Sequence, residues 1–252
     1  MATILAAAVI FIFVHGPACW WWLAALCTFS GLCAGLGVSF PQWQLFGESF
    51  CRAKTEKKIV ALTFDDGPDA ENTPALLALL AAQKIPATFF CIGNRVARQP
   101  ELVKRIVAAG HAVENHTFQH SPQTNVFSIV RLREELTLAQ NEIQRATGRA
   151  PEFFRPPAGL TNPRIFRVAG ELGLTVAGYT ARGLDRRDDA PEKIARRLLR
   201  KLQPGAIFLL HDVGVPRARL LAVVPLVLDQ LKTAGYRCVR LDELMAEHET
   251  NR

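Results

Sequence analysis

Four short clusters in this chain carry side chains suited to hydrolytic chemistry, and each stands at or near the end of an apolar run. The first is Thr63-Phe64-Asp65-Asp66-Gly67-Pro68. Adjacent carboxylates repel one another, and a divalent cation neutralises one of them well. Gly67 and Pro68 turn the chain sharply, so both acids are expected to face one pocket. The plainer reading is an Asp-Gly turn with two solvated acids. The second cluster is His116-Thr117-Phe118-Gln119-His120. Histidines four apart lie on one side of a helical turn and can bind one ion. With Asp66 they would form a two-histidine, one-carboxylate set that leaves positions open for water and substrate. Zinc is the first expectation for such ligands, with cobalt or nickel as alternatives.

The third cluster, Phe154-Arg155-Pro156-Pro157-Ala158-Gly159, follows a strand-like run. Its two prolines fix a loop that can hold Arg155 against a carboxylate and point a backbone N–H into a pocket. A rigid loop with a surface arginine is the plainer alternative. The fourth, Leu209-Leu210-His211-Asp212, places a histidine beside an acid at a strand end. That is a candidate proton donor, although a lone histidine is more often a satisfied structural residue.

These clusters need a scaffold, and the pattern of apolar runs supplies one. Strand-like segments are expected at 59–64, 87–92, 112–115, 152–155, 174–180, 206–210 and 237–241. Helical segments are expected between them: one starting at Thr73-Pro74, then 100–109, a periodic run through Leu132, Leu136, Ala139 and Ile143, then 163–172, 191–202 and 218–234. Alternation with short connections implies an α/β parallel sheet, either doubly wound or closed as a barrel. No Gly-rich phosphate fingerprint follows any strand, which counts against a dinucleotide fold. The chemistry-bearing residues come from the ends of different strands, and that favours a (β/α) barrel.

Charge divides the chain in two. No Lys, Arg, Asp or Glu precedes Glu48, so residues 48–252 carry all 30 basic and 23 acidic side chains and form the expected catalytic domain. Residues 1–47 read as a membrane anchor. The uncharged run 18–40 has the length of a spanning helix, with Trp20, Trp21 and Trp22 near one end and Trp43 past the other. The break at His15-Gly16-Pro17 suggests a hairpin with a shorter first helix over 1–14. Arg52, Lys54, Lys57 and Lys58 follow the anchor, and the positive-inside tendency then puts the domain on the cytoplasmic face. The net charge of +7 suits anionic lipid headgroups or anionic glycans, and no nucleic-acid partner is expected. The six cysteines show no CxxC spacing and read as packing residues. The tail after Met245 is expected to fray.

Taken together and in this order, the DD-G, HxxxH, RPP and LLH elements closely resemble the polysaccharide deacetylases, the NodB-homology or carbohydrate esterase family four domain. The resemblance covers about residues 56–245. It implies a distorted (β/α) barrel of about seven strands, here preceded by a transmembrane helix or helical hairpin. It also implies a divalent metal held by Asp66, His116 and His120, with Asp65 as general base and His211 as general acid. Arg155 matches the residue that orients the base, and Ala158 the donor of an oxyanion-binding N–H. Ala158 stands where Tyr is usual, and Tyr179 where Trp is common. Residues 181–185 replace an acidic, Trp-containing motif, with Asp185 as the candidate partner of His211 and Arg182 where Asp is often found.

The function implied is hydrolytic removal of an N-acetyl or other small N-acyl group from an amino sugar. A cytoplasmic site beside a membrane favours a lipid-linked saccharide over a finished polymer. Deformylation and O-ester cleavage use the same chemistry, and a silent carbohydrate-binding or scaffold protein on this fold is the alternative from another class.

Overall fold

The computed structural model describes residues 20–39 and 41–251. Eight parallel strands form a curled half-barrel: β1 (Ile59–Gly67), β2 (Thr88–Cys91), β3 (Ala112–Asn115), β4 (Phe153–Phe154), β5 (Thr175–Val176), β6 (Ala181–Arg182), β7 (Ala206–His211) and β8 (Arg237–Val239). The spatial order is β5-β4-β3-β2-β1-β7-β6, and β8 pairs with the first residues of β1. Nine α-helices are described: α1 (Trp20–Ser39), α2 (Asn72–Ala82), α3 (Gly93–Arg98), α4 (Pro100–Ala108), α5 (Ile129–Thr147), α6 (Pro163–Glu171), α7 (Pro191–Leu199), α8 (Arg217–Thr233) and α9 (Leu241–Thr250).

β1 is buried along its whole length, and its alternation sorts its side chains. Val60, Leu62 and Phe64 join the layer between sheet and helices, with Leu76, Leu80, Phe208 and Val224. Ile59 and Ala61 face the other way, into a smaller cluster with Phe90, Phe153 and Leu244. Period two therefore puts Thr63 and Asp65 on the concave side, above that apolar floor.

A closed barrel is not what forms, and the reason lies in 174–180, expected as one strand. Only Thr175–Val176 of it is a strand, β5 on one edge of the sheet, and the chain then crosses without a helix to β6 on the opposite edge. Residues 177–180 cross the open side, bonded in turn to Phe154, Phe50 and Ile207. The segment Phe50–Ala53 runs alongside: Phe50 N–H donates to Val176 O and Ala53 N–H to Gly205 O, both at 2.9 Å. Gly178 permits this close approach, because a Cβ there would lie 2.4 Å from Cys51 Sγ.

The expected frayed tail is instead α9. His248 is buried in it, accepts a hydrogen bond from Lys54 N–H at 3.0 Å, and packs its ring against Phe50. Among the described residues no helix is long and apolar enough to cross a membrane. The transmembrane span expected over 18–40 therefore has no support here, and the first expected anchor helix lies outside the described residues. α1 does expose Trp21, Trp22, Phe29 and Leu32, and its end meets the domain where Thr161 N–H donates to Val38 O at 3.0 Å.

Candidate active site

The sheet register brings the first and fourth clusters together. Asp65 on β1 is the direct partner of His211 on β7, so the two stand side by side at the C-terminal ends of neighbouring strands. Asp66 reaches the same mouth by a different route from the one expected. The strand continues through Gly67, and the pairing with β2 slips between Asp65 and Gly67. Asp66 is the extra residue of that bulge, at φ 74°. Gly67 serves the close packing behind it: a Cβ there would stand 2.8 Å from an Asp212 carboxylate oxygen.

His116 and His120 do not share a helical turn, as their spacing suggested. They flank an irregular loop after β3 in which Thr117 and His120 both take positive φ (64° and 52°). The loop is held from behind. Asn115 Oδ1 accepts Thr117 N–H at 2.9 Å, Thr117 Oγ1 accepts His120 N–H at 3.0 Å, and buried Glu135 on α5 accepts the N–H groups of Phe118 and Gln119. The two rings end 4.8 Å apart between centroids.

Both Nε2 atoms lie 3.1 Å from Asp66 Oδ1. His116 Nδ1 lies 2.7 Å from the Arg155 carbonyl oxygen, and donation there leaves the neutral ring with its Nε2 lone pair facing the carboxylate. Asp66 Oδ1 is buried and has no hydrogen-bond donor. Lone pairs converging on a buried, unsatisfied oxygen suit a cation, and the ligand atoms of these three residues all lie within 4.8 Å of one another. Burial alone would raise the Asp66 carboxyl, but the imidazoles of His116 and His120 and the Arg186 guanidinium hold it well below the usual carboxylate range. Burial alone would lower His116, but the Asp66 and Asp65 carboxylates hold it above its ordinary value. Burial together with that imidazolium pushes His120 down. A cation bound here would displace the His116 proton.

Arg155 is not a surface residue: it is 1% exposed. Its Nη1 donates to Asp65 Oδ1 and Thr63 Oγ1, each at 2.7 Å, and its Nη2 to Gly178 O at 2.8 Å. The guanidinium also stacks 4.0 Å over the Phe90 ring. Asp185 is equally buried and grips His211 twice, accepting the backbone N–H at 2.7 Å and meeting Nδ1 at 2.8 Å. That contact fixes the ring so that Nε2 is the nitrogen left for chemistry. Ala158 takes φ 57° in an exposed turn after the two prolines. Arg182 is exposed on the edge strand β6.

Sequence reasoning missed Thr63, Asn115, Glu135 and Arg186. Arg186 Nη2 contacts Asp66 Oδ2, and its position directly after Asp185 was the one available signal. The assembled site brings together a triad able to hold a cation, a charge-paired carboxylate and an oriented imidazole, which together suit hydrolysis of a carbonyl compound.

Comparison with known proteins agrees with that chemistry. The polysaccharide deacetylase family model matches residues 52–177. A peptidoglycan-N-acetylglucosamine deacetylase of Bacillus cereus is 38% identical over 192 residues, covering 75% of this chain and 89% of the relative. The crystal structure of a peptidoglycan N-acetylglucosamine deacetylase in complex with a hydroxamate-type benzamide superposes with a TM-score of 0.74 at 31% identity, covering 77% of this chain and 91% of that one. A CE4 family pseudoenzyme from Bacillus anthracis superposes at 0.72 with 28% identity, covering 78% and 68%.

Proposed function

This chain belongs to the polysaccharide deacetylase family, hydrolases that act on N-acetylated amino sugars, and from that premise we propose that it removes the N-acetyl group from an amino sugar in a glycan or lipid-linked saccharide. The carrying observation is Asp66 Oδ1 set 3.1 Å from both histidine Nε2 atoms, with Asp65 and His211 in register beside it. Asp66, His116 and His120 would hold a divalent cation, zinc in the first instance, and when bound it would supply the Lewis acidity to polarise the amide carbonyl and activate a water near neutral pH.

The chain's own groups do the rest. Asp65 accepts the proton of the attacking water, and Arg155 holds that carboxylate in place with a fixed opposite charge. The Ala158 N–H offers a hydrogen bond to the carbonyl oxygen as charge develops there. His211, held by Asp185, delivers a proton to the departing nitrogen, which would otherwise leave as a very poor amide anion. The names of the relatives favour an N-acetylglucosamine unit as the acylated sugar.

The test is acetate release from N-acetylglucosamine oligomers by the zinc-loaded full chain, with Asp65→Asn for comparison. We expect release by the parent and a loss of at least ~100-fold in the variant at unchanged metal content. A chain that binds zinc and sugar but releases no acetate would instead be a silent binding protein, the reading to which the pseudoenzyme likeness points.

The same proposal gives residues 1–47 the role of a membrane tether and 48–252 that of the catalytic domain at the cytoplasmic face. It is supported by the uncharged N-terminal segment, the exposed Trp21, Trp22 and Phe29 of α1, and the basic residues Arg52, Lys54, Lys57 and Lys58. Deleting 1–47 should move the protein from the membrane to the soluble fraction. An alkaline phosphatase fused after Arg252 should stay inactive, and an active fusion would reverse the assigned side.

A further inference from the structure

Arg186 comes from the loop after β6, outside the triad, yet its guanidinium is fixed beside the triad's carboxylate. Its Nε and Nη2 donate to Val213 O at 3.2 and 3.1 Å. A Cβ on Gly214 would meet Arg186 Nε at 3.2 Å, so the side chain lies against a residue with nothing to displace it. From that two-point mount Nη2 reaches Asp66 Oδ2, while Asp66 Oδ1 faces the two imidazoles. The two oxygens of one carboxylate are thus given different partners. Asp65, the neighbouring acid, is committed to Arg155.

We infer that Arg186 is the positioning residue of the metal site: it occupies Asp66 Oδ2 and so fixes Asp66 as a one-oxygen ligand aimed with His116 and His120. The inference rests on the metal-site reading above. A free carboxylate at a bulge rotates between one-oxygen and two-oxygen binding, and a hydrogen-bonded outer partner removes that choice. The guanidinium sits on the oxygen turned away from the imidazoles, which keeps its positive charge from the side where the cation is held. Removing an outer partner of this kind typically weakens metal binding about 10- to 100-fold. The side chain is 42% exposed and outside the apolar core, so its loss leaves folding intact.

The experiment is calorimetric titration of zinc into metal-free, detergent-solubilised full chain, for the parent, Arg186→Ala, Arg186→Lys and His116→Ala. Thermal melts of the metal-free proteins run in parallel, and so do absorption spectra of the cobalt forms. We expect Arg186→Ala to raise the zinc dissociation constant about 10- to 100-fold, with an unchanged metal-free melting temperature. Its cobalt spectrum should lose intensity as Asp66 gains a second bonded oxygen, and Arg186→Lys should recover part of the affinity. Parent-like affinity and spectrum in Arg186→Ala, with binding abolished in His116→Ala, overturn this inference and leave the metal site standing. A lowered metal-free melting temperature that accounts for the loss also overturns it. No zinc binding by the parent overturns both.

Discussion

His116 Nδ1 lies 2.7 Å from the backbone oxygen of Arg155, and the side chain of that same arginine pairs with Asp65 at 2.7 Å. One residue therefore orients the His116 imidazole through its main chain and the Asp65 carboxylate through its guanidinium. The two loops after β3 and β4 are adjacent through the pairing of Asn115 with Phe154, so the contact follows from strand order.

This dual role separates two variants. In Arg155→Lys the carbonyl oxygen stays, so zinc binding should stay within about tenfold of the parent. A lysine cannot bridge Asp65, Thr63 and Gly178 O as the planar fork does, so kcat should fall about 100-fold or more. Paired zinc titration and steady-state kinetics check this, and equal losses in both would contradict the division of labour.

Asp185 holds His211 by its backbone N–H and by Nδ1 together. Asp185→Asn keeps the shape but can present an amide N–H where the imidazole needs an acceptor, which favours the wrong tautomer. We expect kcat to fall about 10- to 1000-fold with unchanged zinc stoichiometry. The control is Asp188→Asn, since Asp188 is exposed and among the described residues pairs with Arg219 alone, and its kinetics should match the parent's.

The contrast between Asp185 and Arg186 shows what the sequence carries. Asp65, Asp66, His116, His120, Arg155 and His211 were legible because their types are chemically restricted and each closes or follows a strand-like run. The geometry that joins them was not. A one-residue bulge at Asp66 has no compositional mark, and the positive φ values at Thr117 and His120 replace the helical turn that their spacing imitates. Glu135 reads as a solvated acid within an amphipathic helix, and its burial depends on a loop seventeen residues away in sequence. Arg186 is hidden in the run Arg186-Arg187-Asp188-Asp189, which reads as a solvated loop. Seven of the eight strands were legible from apolar runs, but β6 was not, and 174–180 gave no sign that the chain there crosses from one edge of the sheet to the other.

Closure of that open side depends on a second glycine besides Gly178. Gly205 has φ 77°, and a Cβ there would sit 2.2 Å from Ala53 O, a backbone atom that cannot move aside cheaply. Its own carbonyl accepts the Ala53 N–H. Gly205→Ala should therefore cost roughly 3 kcal/mol or more, from left-handed strain and the clash together. Urea unfolding gives the number. A loss under ~1 kcal/mol, the range of an ordinary glycine substitution, would mean that Phe50–Ala53 does not hold the half-barrel shut.

His111 gives stability a pH dependence separate from the site. It is buried, its Nδ1 accepts the Ala87 N–H at 3.1 Å, and its Nε2 has no partner. Burial lowers it to about 4 from an ordinary 6.5. Between those values the unfolded chain binds the proton and the folded chain does not, so folding stability rises with pH across the window. It is fully present above about 6.5 and lost as pH falls toward 4, by roughly 2–3 kcal/mol. Gln accepts the same Ala87 N–H without titrating, so His111→Gln should flatten the acid limb of the stability curve while matching the parent near pH 7. Thermal melts of the metal-free proteins from pH 4 to 8 compare the two. Parallel curves for parent and variant would show that acid sensitivity arises elsewhere.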